Sequence, residues 1–246
     1  MGILDGINII PGDPNFQKRK DQFIARQNPS KTKQPRKKVV PELQNYPVLE
    51  GVQLAVYTDG SVYTLSESYC ENNGIDTIHA NKTFHGSAFV VWNHITGEIL
   101  HEFSKGFEYN QGRQAGEVLA IYFALKYLSD NYQNHSTCLF SDSEYALKAI
   151  GPTWIKAGWM AKWKENGWKT YEGSPVKYRD HFQAMEQFIE SLNYGEAVTL
   201  DKCVSKINLY LVKGHYEDIR NHYVDDLAGK ARRDYQKETV GPFDKV

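Results

Sequence analysis

Leu54-Ala55-Val56-Tyr57-Thr58-Asp59-Gly60-Ser61 is an apolar run that ends on an acid. Four apolar residues, one of them β-branched and one aromatic, predict a buried strand that closes at Thr58 with the Asp59 carboxylate at its end. Asp-Gly also suits a tight hairpin turn, because such turns need positive backbone angles. For this residue alone the turn is the simpler reading. Three later acids at comparable places alter it.

Glu117 shares a helical face with Ile121, Ala124 and Leu128, so its carboxylate lies on an otherwise apolar stripe. A charge there needs a partner or a metal, although a first-turn Glu favoured by the helix dipole is an equal alternative. Asp142 follows the apolar run Thr137 to Ser141. Ser141-Asp142-Ser143-Glu144 also fits a helix capping box, in which Asp142 is merely near a helix start. Asp225 shares a face with Asn221 and Ala228, and Asp225-Asp226 also reads as a solvated pair. Each acid has an ordinary explanation; the set does not. An acid on a first strand, one on a first helix and one after a fourth strand can converge at one sheet edge. Converging carboxylates repel and call for hard cations such as magnesium.

Around these acids the order of elements is readable. Ser66 to Thr83 is too hydrophilic for core and reads as an inserted loop. Gly86 to Trp92 and Ile99 to Lys105 form a hairpin about Asn93 to Glu98, completing a three-stranded meander. A helix over Ala115 to Leu128, a strand over Thr137 to Ser141 and a short helix over Glu144 to Ile150 come next. Lys177 to Leu192 predicts a helix, Lys206 to Val212 a strand and Asp218 to Gln236 a last helix. The fold class is α/β, a mixed five-stranded sheet with helices on both faces.

Composition narrows the class. Hydrophobic content of 41% and 24% charged residues are those of a globular protein. The net charge of −1 is uneven: residues 1–50 hold nine Lys or Arg against five Asp or Glu, which leaves 51–246 acidic. Polyanion binding therefore cannot rest on bulk charge. The expected organisation is a basic extension over 1–50, either a mobile tail or a docked segment, a main domain over 51–238 and a tail over 239–246. Cys70, Cys138 and Cys203 are odd in number and widely spaced, so neither a disulfide framework nor a thiolate zinc site is indicated. With no apolar membrane span and no signal-peptide core, a soluble cytoplasmic protein is expected.

The ordered motifs resemble type 1 ribonuclease H of the bacterial kind. Thr58-Asp59-Gly60-Ser61 looks like its first-strand motif, Gly116-Glu117-Val118-Leu119-Ala120 its helix glutamate motif, and Ser141-Asp142-Ser143-Glu144-Tyr145 its fourth-strand aspartate motif. Val212-Lys213-Gly214-His215 with Asn221 and Asp225-Asp226-Leu227-Ala228 resembles the terminal signature. Trp163-Lys164-Glu165-Asn166-Gly167-Trp168-Lys169-Thr170, then Pro175-Val176-Lys177, looks like the basic protrusion that holds hybrid substrate; a tryptophan packing cluster is its alternative. The chain departs from the family in the long insertion from Val62 to His85, in about six added residues near Thr153 to Gly158, and in Arg113, where the family often has Asn.

The resemblance implies an endonuclease that cuts the RNA strand of RNA/DNA hybrids, leaving 5′-phosphate and 3′-hydroxyl ends. It implies two Mg2+ ions, with Mn2+ able to substitute, on Asp59, Glu117, Asp142 and Asp225. Asp59 would bridge both ions and His215 would act in proton transfer or product release. Substrate contacts would come from Gly60, Ser61, Arg113, Gln114 and Asn221, and from Trp163, Lys164, Trp168, Lys169 and Lys177 of the protrusion. A monomer is the favoured state. A strand transferase of the same broad fold and a noncatalytic hybrid-binding module are the competing classes. Deleting residues 1–45 should weaken hybrid binding most at low salt, measured as affinity against salt concentration, because fewer counterions are released.

Overall fold

The computed structural model describes residues 51–110, 112–151, 159–193, 207–212 and 219–241. The N-terminal extension, the added residues near Thr153 and His215 lie outside them. Five strands form one sheet in the order β3-β2-β1-β4-β5. They are β1 (Leu54–Thr64), β2 (Thr83–Asn93), β3 (Ile99–Glu108), β4 (Thr137–Ser141) and β5 (Ile207–Leu211). β1 pairs antiparallel with β2 and β2 with β3, while β1 with β4 and β4 with β5 are parallel. This is the mixed sheet read from the sequence.

The helices are α1 (Glu67–Asn73), α2 (Ala115–Asn131), α3 (Glu144–Ile150), α4 (Trp159–Glu165), α5 (Arg179–Asn193) and α6 (Ile219–Val240). β1 is central, so both of its faces are buried. Leu54 and Val56 pack with Val118, Ile121 and Leu125 of α2, Leu147 of α3, and Phe182 and Met185 of α5. Ala55 and Tyr57 point the other way, into a core closed by Tyr223, Val224, Leu227 and Ala228 of α6. Alternation along one strand thus feeds two helical layers. Among the described residues no helix is long and apolar enough to cross a membrane.

β1 does not end at Thr58. Its register with β2 continues through Asp59↔Ala88 and Gly60↔Ser87 to Thr64↔Thr83, so Asp59-Gly60 is extended strand and the turn reading is excluded. The supposed loop from Ser66 to Thr83 also differs from expectation. It contains α1 and a 3₁₀ turn over Thr77–His79. Ser66 caps α1 by accepting from the Tyr69 N–H, and Gly74 ends it in the left-handed region at φ 66°. Leu65, Cys70 and Phe84 make a small core there, against Tyr235 and Val240 of α6. That contact explains why α6 runs beyond Gln236.

Glycine sets how closely the helical layers approach the sheet. A Cβ on Gly60 would drive into the Glu117 backbone nitrogen, and one on Gly116 would sit 2.9 Å from the Gly86 carbonyl oxygen. On the opposite face a Cβ on Gly86 would collide with the Ala228 carbonyl and stand 2.9 Å from the Arg232 nitrogen. Backbone cannot move aside cheaply at such contacts. Gly86→Ala should destabilise the fold by about 1–3 kcal/mol or more, read as a lower urea midpoint.

Candidate active site

β4 stops at Ser141 while its neighbour β1 continues to Thr64, which leaves a notch where β1 has no partner on that side. The pairing Thr58↔Ser141 puts the next residue of each strand, Asp59 and Asp142, side by side at the head of this notch. Glu117, in the first turn of α2, arrives from one face, its helix seated on the bare Cα of Gly60. Asp225 arrives from the other face on α6. Carboxylate oxygens of Asp59, Glu117 and Asp142 lie within 4.8 Å of one another, and Asp225 comes close enough to Asp59 for its charge to raise the Asp59 pKa. The four acids that the sequence singled out are therefore neighbours.

The helix after Asp142 is capped by Ser143, whose Oγ accepts from the Ala146 N–H at 3.4 Å. Ser141, the expected cap, is the last residue of β4; its Oγ accepts from the Ser143 N–H at 3.2 Å. Capping is thus accomplished by serines.

Asp59 is 4% exposed. Burial pushes its pKa up to about 9, reinforced by the charges of Asp142 and Asp225; the Gly60 N–H, donating to Oδ1 at 2.8 Å, offsets a small part. Glu117 is raised well above the ordinary carboxylate range, first by burial and then by Asp59 and Asp142. Its Oε2 is buried with no hydrogen-bond partner. A buried acceptor without a donor, amid repelling oxygens, fits an all-oxygen site for a hard divalent cation.

The remaining candidates divide. Ser61 Oγ accepts from Arg232 Nε at 3.0 Å. Arg113 and Gln114 are exposed at the start of α2, where Gln114 makes no side-chain cap bond. Asn110 is tied to the Thr83 N–H and to Glu108. Asn221 is buried, its Oδ1 without a partner. Trp163 is half-buried and packs on Phe182 and Trp159 at ring separations of 5.5 and 6.0 Å, as the packing alternative required. Lys164 is paired with Glu186. Trp168 stands at φ 60° with the Arg179 guanidinium 5.8 Å from its ring, and Lys169 and Lys177 are exposed.

One residue escaped the sequence reading. Tyr178, at φ 58°, is 6% exposed and its hydroxyl has no partner. A Cβ on Gly112 would lie 2.5 Å from that hydroxyl and 3.6 Å from Lys177 Nζ, so a hydroxyl and an ammonium converge beside the Gly112 backbone. The signal available was slight: a tyrosine after Pro175-Val176-Lys177 at the start of a helical period.

The raised acids carry a pH consequence. The metal-free folded state holds protons that the unfolded chain has released, so this stabilisation is complete below about pH 4 and is lost as pH rises through the folded value of about 9 for Asp59. Urea denaturation of chelator-treated protein should show stability falling over that window. Asp59→Asn should flatten the decline.

The RNase H family model matches residues 51–233, most of the chain. A ribonuclease H of Caldicellulosiruptor saccharolyticus is 32% identical over 124 residues, covering 50% of this chain and 71% of that protein. A ribonuclease H of Clostridium botulinum is 26% identical over 183 residues, covering 74% of this chain and 97% of that protein. Among solved structures, a type 1 RNase H with the type 2 active-site motif aligns with TM-score 0.51 at 17% identity, over 74% of this chain and 72% of the other. The foamy viral protease-reverse transcriptase in complex with RNA/DNA hybrid aligns with TM-score 0.51 at 15% identity, over 84% of this chain and 22% of the other. With the match running from the start of the first strand into the last helix, the chain belongs to the RNase H family.

Proposed function

We propose that this protein is an endonuclease that hydrolyses the RNA strand of RNA/DNA hybrids, leaving 5′-phosphate and 3′-hydroxyl ends. The observation that carries the reading is the crowding of Asp59, Glu117 and Asp142 within 4.8 Å, with Glu117 Oε2 lacking any donor. Membership of the RNase H family and a ribonuclease H relative matched over 97% of its own length support it.

In this reading Asp59, Glu117, Asp142 and Asp225 would hold two divalent cations, magnesium with manganese as a substitute, with Asp59 serving both. Such ions activate the attacking water and stabilise the leaving oxygen of a phosphodiester. The chain's own contribution is to hold the acids in place. The Gly60 N–H, donating to Oδ1, fixes one Asp59 oxygen. β4 fixes Asp142 through its register with β1. Burial makes the charged acids costly in isolation, so binding a cation also releases protons at neutral pH. His215 serves proton transfer or product release, as the family resemblance implies.

Substrate is held on both sides of the notch. Arg113 and Gln114 at the start of α2, with Gly60 and Ser61 on β1, face the RNA strand, whose 2′-hydroxyls distinguish it from DNA. Trp168, Lys169 and Lys177 meet the DNA strand, and the Tyr178 hydroxyl donates to a backbone oxygen beside Lys177. Trp163 supports this segment from within rather than presenting its ring, since it packs on Phe182.

An end-labelled RNA/DNA hybrid, digested beside RNA duplex, DNA duplex and single strands, should be cut alone and only with magnesium or manganese. Asp142→Asn should lower the rate by more than about a hundredfold, since even outer contacts of a metal site are worth 10- to 100-fold. Normal turnover in that variant, or cleavage of DNA duplex at the same rate, would sink the assignment.

A further inference from the structure

Arg232 is half-buried and faces only neutral groups. Its Nε donates to Ser61 Oγ and its Nη1 to Gln236 Oε1, each at 3.0 Å, while the guanidinium lies 5.3 Å from the Tyr63 ring centre. Among the described residues it makes no ion pair. Burial, and after it the like charge of Arg233, lower its pKa. A cation withdrawn from water without a counter-ion is costly, so the position suits an anion that arrives from outside.

The surroundings hold this guanidinium in place. The contact of α6 with Gly86 falls at the Arg232 backbone nitrogen, so the helix cannot shift there. Tyr63 and Tyr69 stand edge to face at 5.8 Å and wall the other side. Tyr69 belongs to α1, so the inserted segment helps build the site.

Its location relates it to the acids. Ser61 is two residues beyond Asp59 on the same face of β1, about 7 Å along the strand. Arg232 is seven residues beyond Asp225 on α6, two turns along the same side. Offsets of this size correspond to about one or two nucleotides along one strand of a duplex.

We propose that Arg232, held by Ser61 and Gln236 and flanked by Tyr63 and Tyr69, binds a backbone phosphate of the RNA strand about one or two nucleotides from the one that is cut. This rests on the hybrid-cleaving reading. It adds a contact outside the acid cluster and on the opposite helical layer from Trp168, Lys169 and Lys177.

Hybrid affinity, measured by fluorescence anisotropy across a salt series in calcium, tests it. Arg232→Gln should weaken binding about tenfold and reduce the slope of log affinity against log salt by about 1, whereas Arg232→Lys, which keeps the charge, should retain the wild-type slope. An unchanged slope in a folded Arg232→Gln variant would overturn the inference. If that variant does not fold, the Arg232 Nε–H resonance of the wild type is followed on adding hybrid: a shift supports the contact and an unmoved resonance refutes it. Wild-type cleavage of the same hybrid in magnesium, run in parallel, reports separately on the underlying reading. Its failure would remove the RNase H activity itself, not only the Arg232 contact.

Discussion

Gly60 and Gly116 allow the first turn of α2 to rest with its backbone against β1, and the position of Glu117 in the notch follows from that contact. A side chain at either position would lift the helix and carry Glu117 away from Asp59. Ser87 secures the same turn from the next strand, donating from Oγ to the Gly116 carbonyl at 2.7 Å. Gly86 plays the corresponding part for α6 on the other face. Charge crowding among the acids is thus imposed by close packing of backbone, which is stiff, and not by the side chains that suffer the repulsion.

The second determinant is unequal strand length. If β4 matched β1 to its end, Asp142 would be followed by more strand and the edge of β1 beyond Asp59 would be covered. Stopping β4 at Ser141 and starting α3 at once under the Ser143 cap turns the chain away and exposes that edge. A few serine hydrogen bonds at this corner therefore help shape the site.

Much of this was legible. β4 and α3 have the limits read from apolar runs and capping residues, and the four acids stand together as their places on successive elements implied. What could not be read was non-local. Asp59-Gly60 looks like a turn because turn chemistry is local, whereas the partners that keep it extended, Ala88 and Ser87, are set by pairing with β2. α1 announces its caps with Ser66 and Gly74, yet it has only Cys70 fully buried, so no apolar period marks it. The packing of Trp163 on Phe182 and the unpartnered hydroxyl of Tyr178 depend on α5 docking nearby, which no spacing in the sequence encodes.

The inserted segment leaves the sheet at Thr64 and returns at Thr83, and these two residues are a facing pair whose hydroxyls are 3.0 Å apart. Its ends are therefore already held together by the meander. Chain closure costs grow slowly with length, about 0.6 kcal/mol per doubling, so the β1–β2 pair can carry a long or a short excursion there at nearly equal expense in stability. Architecturally the segment is an interchangeable cassette: whatever occupies it is presented beside the far half of β1, and its exchange leaves the register that sets Asp59 untouched.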